Sequence, residues 1–301
     1  MEQSEITRLP LYRDLPHASS ETGAPLVQHI ETGKTYVKKE LSDYDRSVFE
    51  YIRMRDIPGI PKIFDIIENF ADDGLPDTLI VIEEYITGSP LRTVLDAYGP
   101  IKPDIALDYM IQICQSLLPL HDRKRPIVHC RIMPENIIVT RTGNVYLINF
   151  DAAKEIDPDS ANFKAMNAGS NQNAYIASGQ FEFLPPSTRT DVLECGSLFR
   201  EMITGVSPAS PTPKVSMLDR PEVELLEPII TKCTETDPAA RYADAAELLA
   251  ALKEVVPEIE RLLAERMPTS RKRLLLRVLT FIIFLMAILI LAWFLSGGRF
   301  M

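Results

Sequence analysis

The chain has 301 residues, 46% of them hydrophobic, and a formal net charge of -10, enough for one large domain or two small ones. The acidic balance argues against general nucleic-acid binding, which needs a basic face. The scattered cysteines Cys114, Cys130, Cys195 and Cys233 form no C-x-x-C pair, which argues against a zinc site or a disulfide framework and for buried free thiols.

Residues 1–25 are polar and read as loop, with Ser19, Ser20, Gly23 and Pro25. Leu26–Ile30 and Lys34–Leu41 follow as strands, with Glu31-Thr32-Gly33-Lys34 as the hairpin turn between them. Asp43–Met54 reads as a helix, ended by Pro58-Gly59-Ile60-Pro61. Lys62–Ile67 and Thr78–Tyr85 are two more strands, joined by polar residues. The first 85 residues therefore read as a strand-rich lobe with one helix.

The rest is mostly helical. Leu91–Ala97 is short. Asp104–Asp122 carries Ile105, Tyr109, Ile113 and Leu117 at a spacing that gives one dominant buried face. Val128–His129, Ile137–Val139 and Val145–Ile148 are short strands around turns. Asp191–Thr204, Glu222–Thr234 and Ala243–Val255 are helices, and Pro208, Pro211 and Pro213 mark a loop. Glu258–Met267 leads towards the C-terminal segment.

Val278–Leu295 reads VLTFIIFLMAILILAWFL, without a charge. At about 1.5 Å per residue it spans roughly 27 Å, close to the hydrocarbon thickness of a bilayer. Arg271, Lys272, Arg273 and Arg277 crowd its N-terminal side, against Arg299 alone beyond it. This asymmetry predicts a transmembrane helix over 274–295 with everything before it in the cytoplasm. The expected localisation is therefore the cell membrane, single-pass.

One segment is specific in its chemistry. Val128-His129-Cys130-Arg131-Ile132-Met133-Pro134-Glu135-Asn136-Ile137-Ile138-Val139 resembles the catalytic loop of protein kinases, H-R-D-(L/I)-K-P-x-N before an apolar strand. Asn149-Phe150-Asp151 follows where the D-F-G turn stands. Tyr175–Phe181 occupies the place of the A-P-E segment. Thr190-Asp191 to Gly196 resembles the start of the central large-lobe helix, and Asp237-Pro238-Ala239-Ala240-Arg241-Tyr242 the D-P-x-x-R-(F/Y) stretch. Upstream, Tyr36-Val37-Lys38-Lys39 resembles the strand of the ATP-phosphate lysine, and Glu83-Glu84-Tyr85 the hinge.

The resemblance, to serine/threonine protein kinases of bacterial type, implies an α+β bilobal fold with a small β-rich N-lobe and a helical C-lobe. In these terms 1–25 leads into the N-lobe, 26–86 is the N-lobe, 87–257 the C-lobe, 258–273 a basic juxtamembrane linker, 274–295 the membrane helix and 296–301 a short extracytoplasmic tail.

Phosphoryl transfer needs a nucleotide held by its phosphates, metal ions, and a carboxylate beside the acceptor hydroxyl. The carboxylate slot holds Arg131, whose guanidinium has no lone pair to accept a proton. Met133 replaces the neighbouring lysine and Asn149 the metal-binding aspartate. Asp151 stands in the glycine slot, and His129 and Phe150 fill stacking positions. Lys39, Glu84 and Asn136 are the candidate nucleotide site, and Asn136 with Asn149 the candidate metal pair. Lys39 also reads as a surface lysine, Asn136 as a structural amide, and Arg131 as a salt-bridge partner. The helix glutamate expected to pair with Lys39 is missing, with Val48 in its slot and Glu50 on another face.

Two functions are compatible with this. The first is a pseudokinase: a protein-binding scaffold, allosteric partner or assembly subunit at the inner membrane face, contacting other proteins and, through 274–295, the bilayer, but no nucleic acid. The second is an atypical serine/threonine kinase that uses ATP and magnesium.

Overall fold

The computed structural model describes residues 11–70, 76–157, 186–208 and 220–266, with Met286 and Ile290. Residues 1–256 form one unit and 257–301 another.

The first unit opens with an antiparallel sheet of strands β1 (Tyr12–Ser19), β2 (Pro25–His29), β3 (Thr35–Leu41), β4 (Ile63–Phe70) and β5 (Pro76–Glu84), in the spatial order β1-β2-β3-β5-β4. β1 lies inside the stretch read as loop. Its sequence lacks an apolar alternation and contains Pro16, so pattern alone misses it. What makes it a strand is tertiary: the Tyr12 ring meets His29 and Tyr36 edge-on at centroid distances of 5.3 and 6.0 Å, and its hydroxyl donates to Asp65 on β4. β1 is an edge strand with a register break between Asp14 and Ser19, which is where a proline is tolerated.

Helix α1 (Arg46–Arg53) starts at Asp45, whose carboxylate accepts from the Ser47 backbone N–H at 3.1 Å. Val48, Phe49 and Ile52 make its buried stripe. Helix α2 (Leu91–Tyr98) and α3 (Pro103–His121) follow, α3 with Pro103 at its first turn, where a missing N–H costs nothing. β6 (Ser89–Pro90), β8 (Ile137–Val139) and β9 (Val145–Leu147) form a small sheet, and β7 (Ile127–Val128) pairs with β10 (Lys154–Glu155).

Helix α4 (Thr188–Thr204) is buried around most of its circumference, and α5 (Pro221–Cys233) packs beside it. Gly196 permits their close approach: a Cβ there would meet the Cβ of Cys233 at 2.4 Å. Helix α6 (Ala245–Arg266) runs on through Pro257, whereas Ala243–Val255 and Glu258–Met267 read as separate segments. All four cysteines are free and buried.

Among the described residues no helix is long and apolar enough to cross a membrane. The segment 274–295 lies outside them, save Met286 and Ile290, and so do Tyr175–Phe181 and most of the proline-marked loop.

Candidate functional site

Strands β7 to β9 and the turns between them bring the sequence-predicted residues together. The loop after β7 is anchored by one carboxylate from α4. Asp191, fully buried, accepts from the backbone N–H groups of His129 and Cys130 at 2.9 Å each. His121 at the end of α3 donates to the same carboxylate at 2.9 Å, because its other ring nitrogen accepts from the Ala245 N–H at 3.1 Å. This clamp holds Cys130 at a φ of 62°, a left-handed conformation that side chains other than glycine adopt only when their surroundings impose it. Glu194, one turn along α4, accepts from the Ile132 N–H at 2.8 Å, and burial pushes its carboxyl well above the usual range.

His129 is enclosed. Its Nδ1 accepts from the Arg131 N–H at 3.3 Å, so Nε2 carries the proton and donates to the Ile148 carbonyl at 3.1 Å. Its ring meets that of Phe150 edge-on at 4.6 Å, and burial lowers its pKa. A neutral histidine with both nitrogens engaged is a strut for the loop rather than a base. The Cys130 thiol is likewise pushed well up by burial.

Arg131 is half-exposed, and its guanidinium donates to Asp151 Oδ2 at 2.8 Å. The pair links the catalytic-loop slot to the glycine slot of the next turn. The other Asp151 oxygen is enclosed and makes no hydrogen bond. Asn149 begins that turn with φ 70° and ψ 67°. Its amide donates to the Asn136 side-chain oxygen at 3.2 Å, and Asn136 in turn donates to the Arg131 carbonyl at 2.9 Å. The two amides proposed as metal ligands therefore bond each other. Met133 lies half-buried just before a short 3-10 turn over Pro134–Asn136.

Across from this loop stands Lys39 on β3. Its Nζ lies 2.7 Å from Glu83 Oε1 on β5, with both side chains largely enclosed. The contact is an ion pair without hydrogen-bond alignment. Helix α1 gives Lys39 no partner: Val48 is buried in the core, and Glu50 bonds Arg46 at 2.9 Å. Glu84, the other candidate here, is exposed and accepts from the Lys62 backbone at 3.3 Å.

Between the lobes lies an open cavity of about 610 Å³, lined by Gly23, Lys38, Lys39, Glu135, Asn136 and Asn149 among others. Its size falls within the range of about 300–1,000 Å³ usual for ligand sites. Gly23 has a positive φ of 84°, and a Cβ on it would meet nothing within 4 Å, so the β1–β2 turn leaves open space at its side of the cavity. A second, narrow cavity of about 20 Å³ lies under the hinge, against Val37, Glu83, Tyr85, Ile138 and Ile148. The residues thus suit the phosphate end of a nucleotide, while the base end is closed in this conformation. The donor set suits magnesium poorly, since it offers two mutually bonded amides and, among the described residues, no cluster of acidic or imidazole ligands.

The protein kinase domain model matches residues 25–267. The chain belongs to the protein kinase family.

Among curated relatives of this kinase domain, a probable serine/threonine-protein kinase of Corynebacterium efficiens is 28% identical over 214 residues, 65% of this chain and 32% of its own length. Serine/threonine-protein kinase PrkC of Bacillus subtilis is 26% identical over 66% of this chain and 31% of its own. PknB of Mycobacterium tuberculosis is 27% identical over 78% and 41%. The matched region spans well under half of each of these relatives. The crystal structure of the Rad53 kinase domain and SCD2 with AMPPNP superposes with a TM-score of 0.57, covering 81% of this chain and 91% of that one at 18% identity, a likeness of fold.

Two features of the kinase site escape sequence reading. Glu83 pairs with Lys39 only because β3 and β5 are neighbours, and Asp45 reaches β10, just beyond the Asn149–Asp151 turn, only in space, accepting from the Glu155 N–H at 2.8 Å. A period-two reading of β5 could have put Glu83 on the cleft face, but not beside Lys39.

Proposed function

We propose that the cleft between the lobes is an ATP site and that the chain is a serine/threonine-kinase-type phosphotransferase with non-standard catalytic residues. The observation that carries the ATP site is the 610 Å³ cavity between the lobes with Lys39, the lysine of the phosphate-binding slot, in its wall. The names of the relatives, serine/threonine-protein kinases, support the transferase reading. So does the AMPPNP of the Rad53 complex for a nucleotide in this fold. Bound ATP would bring the transferable phosphoryl group. Lys39 then holds phosphate oxygens, Asn136 keeps the loop in shape through the Arg131 carbonyl, and Asp151 is the carboxylate that faces the Arg131 slot.

A second reading has its own observation. Arg131 stands where the acceptor hydroxyl needs a carboxylate, and it holds Asp151 at 2.8 Å. A guanidinium accepts no proton. In this reading the chain is a pseudokinase that works as a scaffold or assembly partner for other proteins.

Either way we place the domain on the cytoplasmic face of the cell membrane, anchored by 274–295. The support is the apolar run and its basic flank. Deleting 274–301 then moves the protein to the soluble fraction, and persistent membrane association counts against the anchor.

The deciding experiment melts the purified chain with and without ATP, and with and without magnesium. Nucleotide at 100 times its Kd stabilises by about 2.7 kcal/mol. Stabilisation with label transfer from ATP, lost in Lys39→Ala and Asp151→Asn, supports the transferase. Stabilisation without transfer supports the pseudokinase. No stabilisation under any condition refutes the ATP site.

A further inference from the structure

We propose that Glu83 has taken over from helix α1 the positioning of Lys39, so that this lysine is placed by the sheet itself and stays in the cleft wherever the helix lies. The inference deepens the ATP-site reading and rests on it for its function.

The argument begins with register. Val37 is paired with Glu83, and Lys39 with Val81. Side chains two apart along a strand share a face, so Lys39 and Glu83 are diagonal neighbours across one ladder. Both are long enough to bridge that diagonal, and their charged ends meet at 2.7 Å. Both are nearly enclosed, at 13% and 11% side-chain exposure, so water screens the pair weakly.

The acids of the helix region are occupied elsewhere. Glu50 bonds Arg46, and Arg46 reaches Glu68 on β4, to which Tyr44 also donates at 2.6 Å. Asp45 caps the helix and takes the Glu155 N–H, and Asp43 lies 3.2 Å from Lys154. Val48, in the slot facing the sheet, has no charge to offer. Glu83 also lines the narrow hinge cavity, while Lys39 lines the open one. The pair therefore stands at the boundary between the two ends of the candidate site. The ammonium is held by charge but its N–H groups are not aligned on Glu83. Strands β3 and β5 are hydrogen-bonded along their length, so the pair moves as one body.

The test reads Lys39 without nucleotide. The full purified chain is treated with acetic anhydride for graded times, and acetylation of Lys39 is followed by peptide mass spectrometry, with Lys232 as internal reference. In the native protein Lys39 reacts slowly, shielded by Glu83. Glu83→Gln is expected to raise its labelling relative to Lys232 several-fold, and Glu83→Asp, shorter by one methylene, to raise it less. Glu50→Gln is expected to leave it unchanged. Native-like labelling in Glu83→Gln, or an equal rise in Glu50→Gln, overturns the proposal. Should Glu83→Gln not fold, the Glu50→Gln arm still decides: accelerated Lys39 labelling there means the helix positions the lysine. A separate arm adds ATP to the native chain. Failure of ATP to slow Lys39 labelling refutes the ATP site and leaves the Glu83 result standing.

Discussion

Replacing Asp191 by alanine should unfasten the catalytic loop. The carboxylate is fully buried and accepts from His129 N–H, Cys130 N–H and His121 Nε2–H, each at 2.9 Å. Alanine leaves those donors without an acceptor in an enclosed site. A buried donor that loses its partner costs about 1–3 kcal/mol. Three such losses give roughly 3–9 kcal/mol, and water entering the vacated space draws the value towards the lower end, roughly 3–5 kcal/mol. Cys130 offsets part of it, because its φ of 62° is held by that carboxylate. Relaxing a left-handed residue returns about 1–2 kcal/mol to the variant, so the loop is expected to change conformation rather than stay empty-handed in place. Against a total stability of about 5–15 kcal/mol this is a large fraction. Urea unfolding followed by far-ultraviolet circular dichroism reads it as a fall in midpoint. Asp191→Asn, which keeps one acceptor oxygen but turns an NH2 on a donor, should lose less. A loss below about 1 kcal/mol in Asp191→Ala would refute the clamp, since it would mean the donors find other partners at no cost.

Gly196→Ala drives a Cβ to 2.4 Å from Cys233 Cβ and 3.0 Å from Thr234 Cγ2, and should lower stability by about 1–3 kcal/mol through overpacking of α4 on α5. A thermal midpoint equal to the native one would contradict that packing. Asp45→Ala removes the cap of α1 and the acceptor for the Glu155 N–H, and should cost about 1–2 kcal/mol, with faster amide exchange in 46–53. His129 gives a pH signature. Burial lowers its pKa from the ordinary 6.5, so the folded protein keeps it neutral while the unfolded chain takes up a proton below that pH. The unfolded state then binds more protons, and stability falls as the pH drops below about 6.5, by up to about 1.4 kcal/mol per unit, and is flat with respect to this group above it. Urea midpoints between pH 5 and 8 in native and His129→Asn proteins measure the difference in slope, in which the buried Glu194 and Glu201 cancel; equal slopes contradict the assignment.

How far the residues alone reach is visible element by element. Helix α3 was legible as a helix from its apolar spacing, but its buried face only in part: Ile113 and Leu117 are buried, whereas Ile105 is exposed and Ala106, Leu107, Met110 and Leu120 complete the stripe. Strand β5 was legible from its β-branched run Ile80-Val81-Ile82, and β3 from its place after the Glu31–Lys34 turn signal. The catalytic loop and the metal turn were legible because catalysis in this family uses fixed residue types at fixed spacing. The arginine in the carboxylate slot at Arg131 and the amide in the aspartate slot at Asn149 are read directly from the sequence. β1 was not legible, because its stability comes from Tyr12 packing on His29 and Tyr36. Nor was the continuity of α6 through Pro257, where local propensity argues for a break.

By itself the sequence determined the family, the two-lobe order and which chemical groups are present or replaced at each slot, since covalent identity and local periodicity carry that information. Only the tertiary structure decided what those groups do to one another. Arg131 closes on Asp151, Asn149 on Asn136, and Lys39 on Glu83, pairings between residues 13 to 44 positions apart. Coulomb attraction and hydrogen bonding depend on distances of a few ångströms in space, and separation along the chain carries no record of them.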